Sequence, residues 1–113
     1  MLDGAVNAAG VAQPVGVRKS SAILSETDEM FKRTMGINLE GVFYYSREQI
    51  RVMMELPKVS RSIINIASIA SLVHAGDTYG YGVSKGGVTY LSACLARHFA
   101  PHGIRVNVVS LVC

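Results

Sequence analysis

Cysteine, proline and long hydrophobic runs are all scarce in these 113 residues. The two cysteines, Cys94 and Cys113, are too few for a disulfide framework or a four-cysteine metal site. The longest apolar run, around 63–73, is too short and too polar to span a bilayer, and the first residues lack the basic segment of a secretory signal. We therefore expect a reducing, cytoplasmic compartment and no membrane partner.

Charge of one sign is not concentrated anywhere in the chain. Eleven basic residues against eight acidic ones give a formal charge of +3. The only adjacent basic pairs are Arg18-Lys19 and Lys32-Arg33, and acidic residues such as Glu29 lie between the basic ones. Nucleic-acid binding requires a basic stripe or face, so no nucleic-acid partner is predicted.

Half of the residues are hydrophobic and 17% are charged, which is typical of a globular protein with a buried sheet. The apolar patterns predict three strands, at 2–7, 61–67 and 104–109, and two helices, at about 26–56 and 79–100. The order strand-helix-strand-helix-strand predicts an α/β fold with a parallel sheet and right-handed crossovers. Since three strands make a narrow sheet, we interpret residues 1–113 as a single incomplete domain, part of a doubly wound fold.

The β-branched run at 61–67 predicts a central strand that is covered on both faces. Residues 11–24 and 68–78 are predicted as loops. Ser25, followed by Glu-Thr-Asp, is the predicted N-cap of the first long helix.

An interruption is expected near the middle of that long helix. Gly36 and Gly41 each weaken a helix by about 1 kcal/mol relative to alanine, and Asn38 lies between them on the apolar stripe. A kink or a functional interruption is therefore predicted at Asn38.

Tyr81 and Lys85 are four residues apart at the start of the second helix and would lie on one face, one turn apart. A neighbouring ammonium stabilises a phenolate, so the pair could transfer protons. A surface tyrosine beside a solvated lysine is the alternative. Ser68, which follows the central strand, and the A-A-G at 8–10 would meet at the carboxyl ends of the strands, where parallel sheets bind ligands. An ordinary turn at 8–10 is the other interpretation.

Together these motifs resemble the second half of a short-chain dehydrogenase/reductase. N-A-A-G from Asn7 resembles the N-N-A-G of that family, and I-N-L-E-G-V-F around Asn38 resembles its N-x-x-G-x-F segment. I-I-N-I-A-S ends at Ser68, thirteen residues before Tyr81 in Y-G-V-S-K, a separation typical of the family. H-G-I-R-V-N-V-V resembles its sixth strand, so that the resemblance covers nearly the whole chain and implies a Rossmann-like fold.

The resemblance implies a role for four residues. Tyr81 would be the general acid/base at the substrate oxygen. Lys85 would support the phenolate and hydrogen-bond the nicotinamide ribose, and Ser68 would polarise a carbonyl or alcohol. Asn38 would hold a water of the proton relay through its backbone. The implied activity is hydride transfer between a nicotinamide and a small-molecule ketone or secondary alcohol.

The implied cofactor is NAD or NADP, with no preference readable. Residues that would line its crevice are Asn7, Ala9, Gly10, Tyr81 and Lys85. No metal is expected, because His98 and His102 have Pro101 between them and lack a third ligand.

Two departures from the family pattern support a second hypothesis. The fingerprint T-G-x-x-x-G-x-G does not follow a strand anywhere in the chain, and Leu111-Val112 stands in place of the P-G after the sixth strand. The alternative is therefore a truncated, catalytically inactive fragment that acts at most as a dimerising or interaction module. By resemblance, helices 26–56 and 79–100 would form a homodimer or homotetramer interface.

Overall fold

A computed structural model describes residues 3–8, 10, 22–57, 59–68 and 79–111. The elements, in chain order, are β1 (Gly4–Asn7), α1 (Ala22–Ser25), α2 (Asp28–Met35), a π-helical turn (Gly36–Glu40), α3 (Gly41–Glu55), β2 (Arg61–Ser68), α4 (Tyr79–Phe99), a 3-10 turn (Ala100–His102) and β3 (Ile104–Leu111). The predicted order of strands and long helices is confirmed.

The three strands form one parallel sheet in the order β1-β2-β3. The central position of β2 is as predicted. In the register, Asn7 lies opposite Asn65 and Ser68 lies opposite Leu111. The carboxyl ends of the strands therefore share one edge, as an α/β fold with right-handed crossovers requires.

The helices α3 and α4 pack on one face of this sheet. One core cluster joins buried side chains of α3, β2 and β3: Ile50, Met53, Ile63, Ile104 and Val106. Partly buried side chains of β1 and α4 pack against it: Ala5, Leu95, Ala96 and Phe99. A second cluster, nearer the carboxyl edge, consists of Val42, Ala67 and Val88.

Burial along β2 alternates between full and partial rather than being uniform. The expectation of two covered faces is therefore not met among the described residues. Ile64 and Ile66 on the opposite face are only half-buried, and Val6 beside them is 62% exposed.

The predicted start of the first long helix was wrong by two residues. Thr27 is the N-cap of α2, and its Oγ1 accepts a hydrogen bond from the Met30 N–H at 3.1 Å. Ser25 instead ends the short helix α1, which occupies part of the predicted loop at 11–24. Serine and threonine both cap helices, but Thr27 has Asp28 and Glu29 directly after it, in the first turn where the helix dipole favours them.

Other boundaries differ by one or two residues. β2 includes Ser68, and β3 continues to Leu111 because these two residues pair with each other. β1 begins at Gly4 instead of Leu2, and Leu2 lies outside the described residues. Most of the two loops predicted at 11–24 and 68–78, namely residues 11–21 and 69–78, also lies outside them.

The predicted interruption of the long helix is a π-helical turn. The Gly41 N–H donates to the Gly36 carbonyl, five residues earlier, and Asn38 inside the turn is fully buried. A π-turn inserts an extra residue and redirects the side chains that follow, and such turns are frequent at functional sites. Here it directs an amide side chain toward α4.

Within the described ranges, no helix combines the length and apolarity needed to cross a bilayer. The same residues contain no group of three or more potential metal ligands. His98 and His102 instead make ring contacts with Phe99, at centroid distances of 4.9 and 5.9 Å.

Candidate active site

Lys85 is a buried cation at the carboxyl edge of the sheet. Only 4% of the residue is exposed, and its Nζ donates a hydrogen bond to the Ile66 carbonyl of β2 at 3.2 Å. Burying an ammonium is costly unless polar partners hold it, so this position requires support from the surrounding structure. The Nζ also lies 6.0 Å from the centroid of the Tyr81 ring, at the limit of a cation–π contact. The predicted pairing of Tyr81 and Lys85 on one helix face is confirmed.

The backbone at Gly10 closes in on this ammonium. A Cβ at Gly10 would lie 3.0 Å from Lys85 Nζ and 3.2 Å from Asn38 Oδ1. Glycine leaves that space open. The end of the N-A-A-G segment, the π-turn and α4 therefore meet at one point, as the convergence of motifs predicted. Ala9 lies outside the described residues.

Asn38 is connected to Tyr81 through Ser84. The Asn38 Nδ2 donates to Ser84 Oγ at 3.1 Å, and Ser84 Oγ donates to the Tyr81 carbonyl at 2.7 Å. Both Asn38 and Ser84 are fully buried. The amide of the π-turn thus fixes the first turn of α4. We refer to Gly10, Asn38, Ser84 and Lys85 as the Lys85 cluster.

Sequence reasoning missed this hydrogen-bonded link through Ser84. The signal was its position in Y-G-V-S-K, three residues after Tyr81, from which a serine hydroxyl reaches back to the helix carbonyl. Its second partner, Asn38, is 46 residues away in the chain and could not be read from local spacing.

Ser68 is the last residue of β2 and is 3% exposed. It stands two residues beyond Ile66, whose carbonyl holds Lys85, so it lies at the same sheet edge. Tyr81 is half-buried in the first turn of α4. The roles predicted for Ser68 and Tyr81 depend on a substrate and remain predictions.

Asn7 joins a second group of polar side chains. Its Nδ2 donates to Asn65 Oδ1 at 2.8 Å and to Gln49 Oε1 at 3.0 Å, and Gln49 Nε2 donates back to Asn7 Oδ1 at 2.9 Å. Asn65 Nδ2 in turn donates to Ser92 Oγ at 2.9 Å. We call these four residues the amide network. Its existence was missed, although an asparagine inside the β-branched run at 65 was a visible signal.

The side chain of Asn7 therefore faces the helices. Its predicted contact with a cofactor remains a prediction. The end of β1 does open into a cleft of about 310 Å³, which is lined by Val6, Asn7, Ala8, Ile37, Gly41, Val42 and Tyr45.

Comparison with known proteins places this arrangement in a family. A family model described as enoyl-(acyl carrier protein) reductase matches residues 1–112. Chanoclavine-I dehydrogenases of Aspergillus fumigatus and Claviceps purpurea are 51% and 50% identical over 109 residues, each covering 96% of this chain and 42% of the relative. The chain thus spans less than half the length of these relatives.

Solved structures show the same fold. A short-chain dehydrogenase from Mycobacterium smegmatis superimposes with a TM-score of 0.87 at 27% identity, over 98% of this chain and 43% of that chain. A 4-hydroxyisoleucine dehydrogenase complexed with NADH and succinate gives a TM-score of 0.83 at 33% identity, over 97% and 48% respectively. The chain therefore belongs to the short-chain dehydrogenase/reductase family of oxidoreductases.

Proposed function

We propose that this chain carries the proton-transfer site of an NAD(P)-dependent oxidoreductase that interconverts a ketone and a secondary alcohol. The observation that carries the proposal is the Lys85 cluster, in which a buried ammonium, a π-turn amide and a glycine backbone converge one helical turn from Tyr81.

The residues present fit a nicotinamide nucleotide. At Gly10 a Cβ would already crowd the buried cation, so glycine leaves room for a sugar hydroxyl to approach it, and ligands of parallel sheets bind at this edge. Lys85 and Gly10 would hold the nucleotide, together with Asn7 and Ala9 as expected from the sequence. The bound nucleotide supplies or accepts the hydride, which the side chains of the protein cannot do.

The side chains of the chain provide proton transfer and orientation. Tyr81 gives a proton to the substrate oxygen in reduction and takes it in oxidation, since a positioned phenol can act as general acid or base. Lys85 places its ammonium 6.0 Å from the centre of the Tyr81 ring, beside the proton-transferring group. Ser68 donates a hydrogen bond to the same oxygen, and the Asn38–Ser84 link holds the turn that carries Tyr81.

The substrate class is proposed from the relatives. Several relatives named chanoclavine-I dehydrogenase are 45–51% identical to this chain. Chanoclavine-I is therefore the first substrate to assay, with both NAD and NADP.

Replacement of Tyr81 by phenylalanine in the natural protein at its full length tests the proposal. Turnover is expected to fall by about 10² or more, the usual contribution of a positioned general acid or base, while nucleotide affinity is retained. Tyr90→Phe is the matched control, because Tyr90 lies on the same helix and is 74% exposed. Wild-type turnover in Tyr81→Phe would refute the assignment.

A second candidate function is self-association without catalysis by the 113 residues alone. Four aromatic side chains on α3 and α4 are more than 40% exposed: Phe43, Tyr44, Tyr45 and Tyr90. One of them, Phe43, lines an open groove of about 150 Å³, with Ile50, Leu91 and Leu95 among the other lining residues. Exposed apolar surface of this kind favours a partner, here a second copy of the chain, bound through helices 26–56 and 79–100.

Two measurements on the 113-residue chain decide this candidate. Sedimentation should show a dimer or tetramer that Tyr45→Lys dissociates, whereas Asn107→Lys, which adds the same charge at an exposed position of β3 outside those helices, should not. Saturable binding of NADH or NADPH by the same chain would contradict the non-catalytic interpretation.

A further inference from the structure

We propose that Glu26 is a positioning residue for Tyr81, because its carboxylate clamps the first turn of α4. The inference rests on the proposed function, in which Tyr81 transfers the proton. Glu26 lies outside all of the sequence motifs that resemble the family.

The contact is made at Gly80, the residue directly before Tyr81. The Gly80 N–H donates to Glu26 Oε1 at 3.3 Å. A Cβ at Gly80 would lie only 2.5 Å from Glu26 Oε2, so the carboxylate occupies the space that a side chain at Gly80 would need. Gly80 is buried and Glu26 is half-buried, which partly shields the contact from water.

The start of α4 is a place where a carboxylate stabilises the backbone. The first N–H groups of a helix have no partner within the helix, and the helix dipole makes that end positive. The first turn of α4 contains no acidic residue of its own. Glu26, 54 residues earlier in the chain and located between α1 and α2, supplies the negative charge.

Gly80 also lies close to α2. The buried Thr34 of α2 would be 3.7 Å from the Cβ at Gly80. Four residues further along α4, Ser84 is tied to Asn38 of the π-turn. Tyr81 therefore lies between two anchor points, Gly80 and Ser84, and the loss of either would let its turn move relative to Lys85.

Removal of the carboxylate tests the clamp in the natural protein at its full length. In Glu26→Ala we expect kcat to fall about tenfold, less than the 10² that a 1 Å misplacement can cost. Glu26→Gln should stay within about twofold of wild type, since its amide oxygen still accepts the Gly80 N–H. Glu29→Ala, at an exposed position in the first turn of α2, is the matched control and should not change kcat.

The isotope effect separates positioning from a loss of folded protein. With nucleotide deuterated at the transferred position, the deuterium effect on kcat should increase in Glu26→Ala, because a misplaced Tyr81 slows the chemical step. A smaller folded fraction lowers kcat but leaves the isotope effect unchanged. An unchanged isotope effect in Glu26→Ala would therefore overturn the proposal.

Gly80→Ala provides a second route if Glu26→Ala does not fold. Its Cβ should displace the carboxylate and give the same fall in kcat, whereas Gly86→Ala, whose Cβ would meet nothing within 4 Å, should not. In the double variant Glu26→Ala/Gly80→Ala the second change should cost nothing further. Full additivity, or wild-type kcat in Gly80→Ala, would contradict the clamp. If either contradicting result is found while Tyr81→Phe is inactive, only the role of Glu26 is refuted. An active Tyr81→Phe would refute the proposed function itself.

Discussion

The Lys85 cluster and the amide network are two buried polar groups beneath the same pair of helices, and they differ in charge and in position. The amide network contains only neutral amides and a hydroxyl, which bond to one another around the in-register pair Asn7 and Asn65. The Lys85 cluster contains a cation and meets a glycine backbone at the carboxyl edge of the sheet. Buried polarity alone therefore does not distinguish a reactive site from a structural one.

The difference follows from the cost of burial. A neutral amide that is fully hydrogen-bonded can be buried at little net cost and helps to specify one register of the strands. A buried ammonium remains expensive even when a carbonyl accepts from it, and replacement by an apolar side chain is often neutral or stabilising. We expect the amide network to contribute to stability and the Lys85 cluster to contribute to turnover.

The largest expected effect is on stability, in Asn65→Leu. This change removes one of the two acceptors of Asn7 Nδ2 and the donor to the buried Ser92 Oγ. The lost hydrogen bonds and the unpaired Ser92 hydroxyl should together cost about 2–4 kcal/mol of unfolding free energy. Urea unfolding measures the loss. Asn107→Leu, at an exposed position in β3, is the control and should stay within about 0.5 kcal/mol of wild type. If both variants lose a similar amount of unfolding free energy, the amide network is no more important for stability than an exposed position of the sheet.

Gly10→Val should produce the next largest effect, on turnover. Because a Cβ at Gly10 would already lie 3.0 Å from Lys85 Nζ, the larger side chain must push the ammonium aside, and a displacement of about 1 Å costs up to about 10² in rate. Steady-state kinetics of the natural protein at its full length measures this. Gly86→Val, on α4 with open space around its Cβ position, should retain its activity.

Ser84→Ala should have a moderate effect on both properties. It removes the acceptor of the buried Asn38 amide and the donor to the Tyr81 carbonyl, which should cost about 1–2 kcal/mol of stability and a few-fold in kcat. Thermal unfolding and kinetics should be measured on the same preparation. If stability falls while kcat is fully retained, Ser84 supports the fold and does not contribute to catalysis.

The smallest effect is expected at the surface of α3. Hydrogen bonding and the charge of Glu48, and then the charge of Glu55, raise the pKa of the Arg51 guanidinium above its ordinary value. A raised pKa gives stability that is present below the unfolded pKa and is lost only as pH rises through the folded pKa, far beyond the range of about pH 6 to 9. Since all three side chains are more than half exposed, Arg51→Met should leave the melting temperature unchanged across that range. A pH-dependent loss there would contradict this.

Periodicity was enough to predict the elements and their order. The β-branched run of β2 and the apolar stripes of the long helices are local patterns, and so is the pair of glycines around Asn38 that accompanies the π-turn. The exact helix start failed because Ser25 and Thr27 are both suitable caps, although only Thr27 is followed directly by two acidic residues in the first turn.

The contacts that support the site could not be predicted in the same way. Glu26 meets Gly80 across 54 residues, Gln49 meets Asn7 across 42, and nothing local selects either partner. Asn7 illustrates the limit: its motif indicates a cofactor contact, which remains a prediction, but it gave no sign of the hydrogen bonds that its side chain makes in the amide network. The spacing of the motifs predicted which segments meet at the carboxyl edge of the sheet. It did not predict the direction in which each polar side chain points.

The most direct test of the central claim is the turnover per folded molecule of Lys85→Met in the natural protein at its full length. We predict a fall of about 10² or more, because the site loses the ammonium that lies 6.0 Å from the Tyr81 ring. The unfolding free energy should be unchanged or higher, because a buried cation has been replaced by an apolar side chain. Lys32→Met, at an exposed position on α2, is the control. Wild-type turnover in Lys85→Met would contradict the assignment of the Lys85 cluster to catalysis.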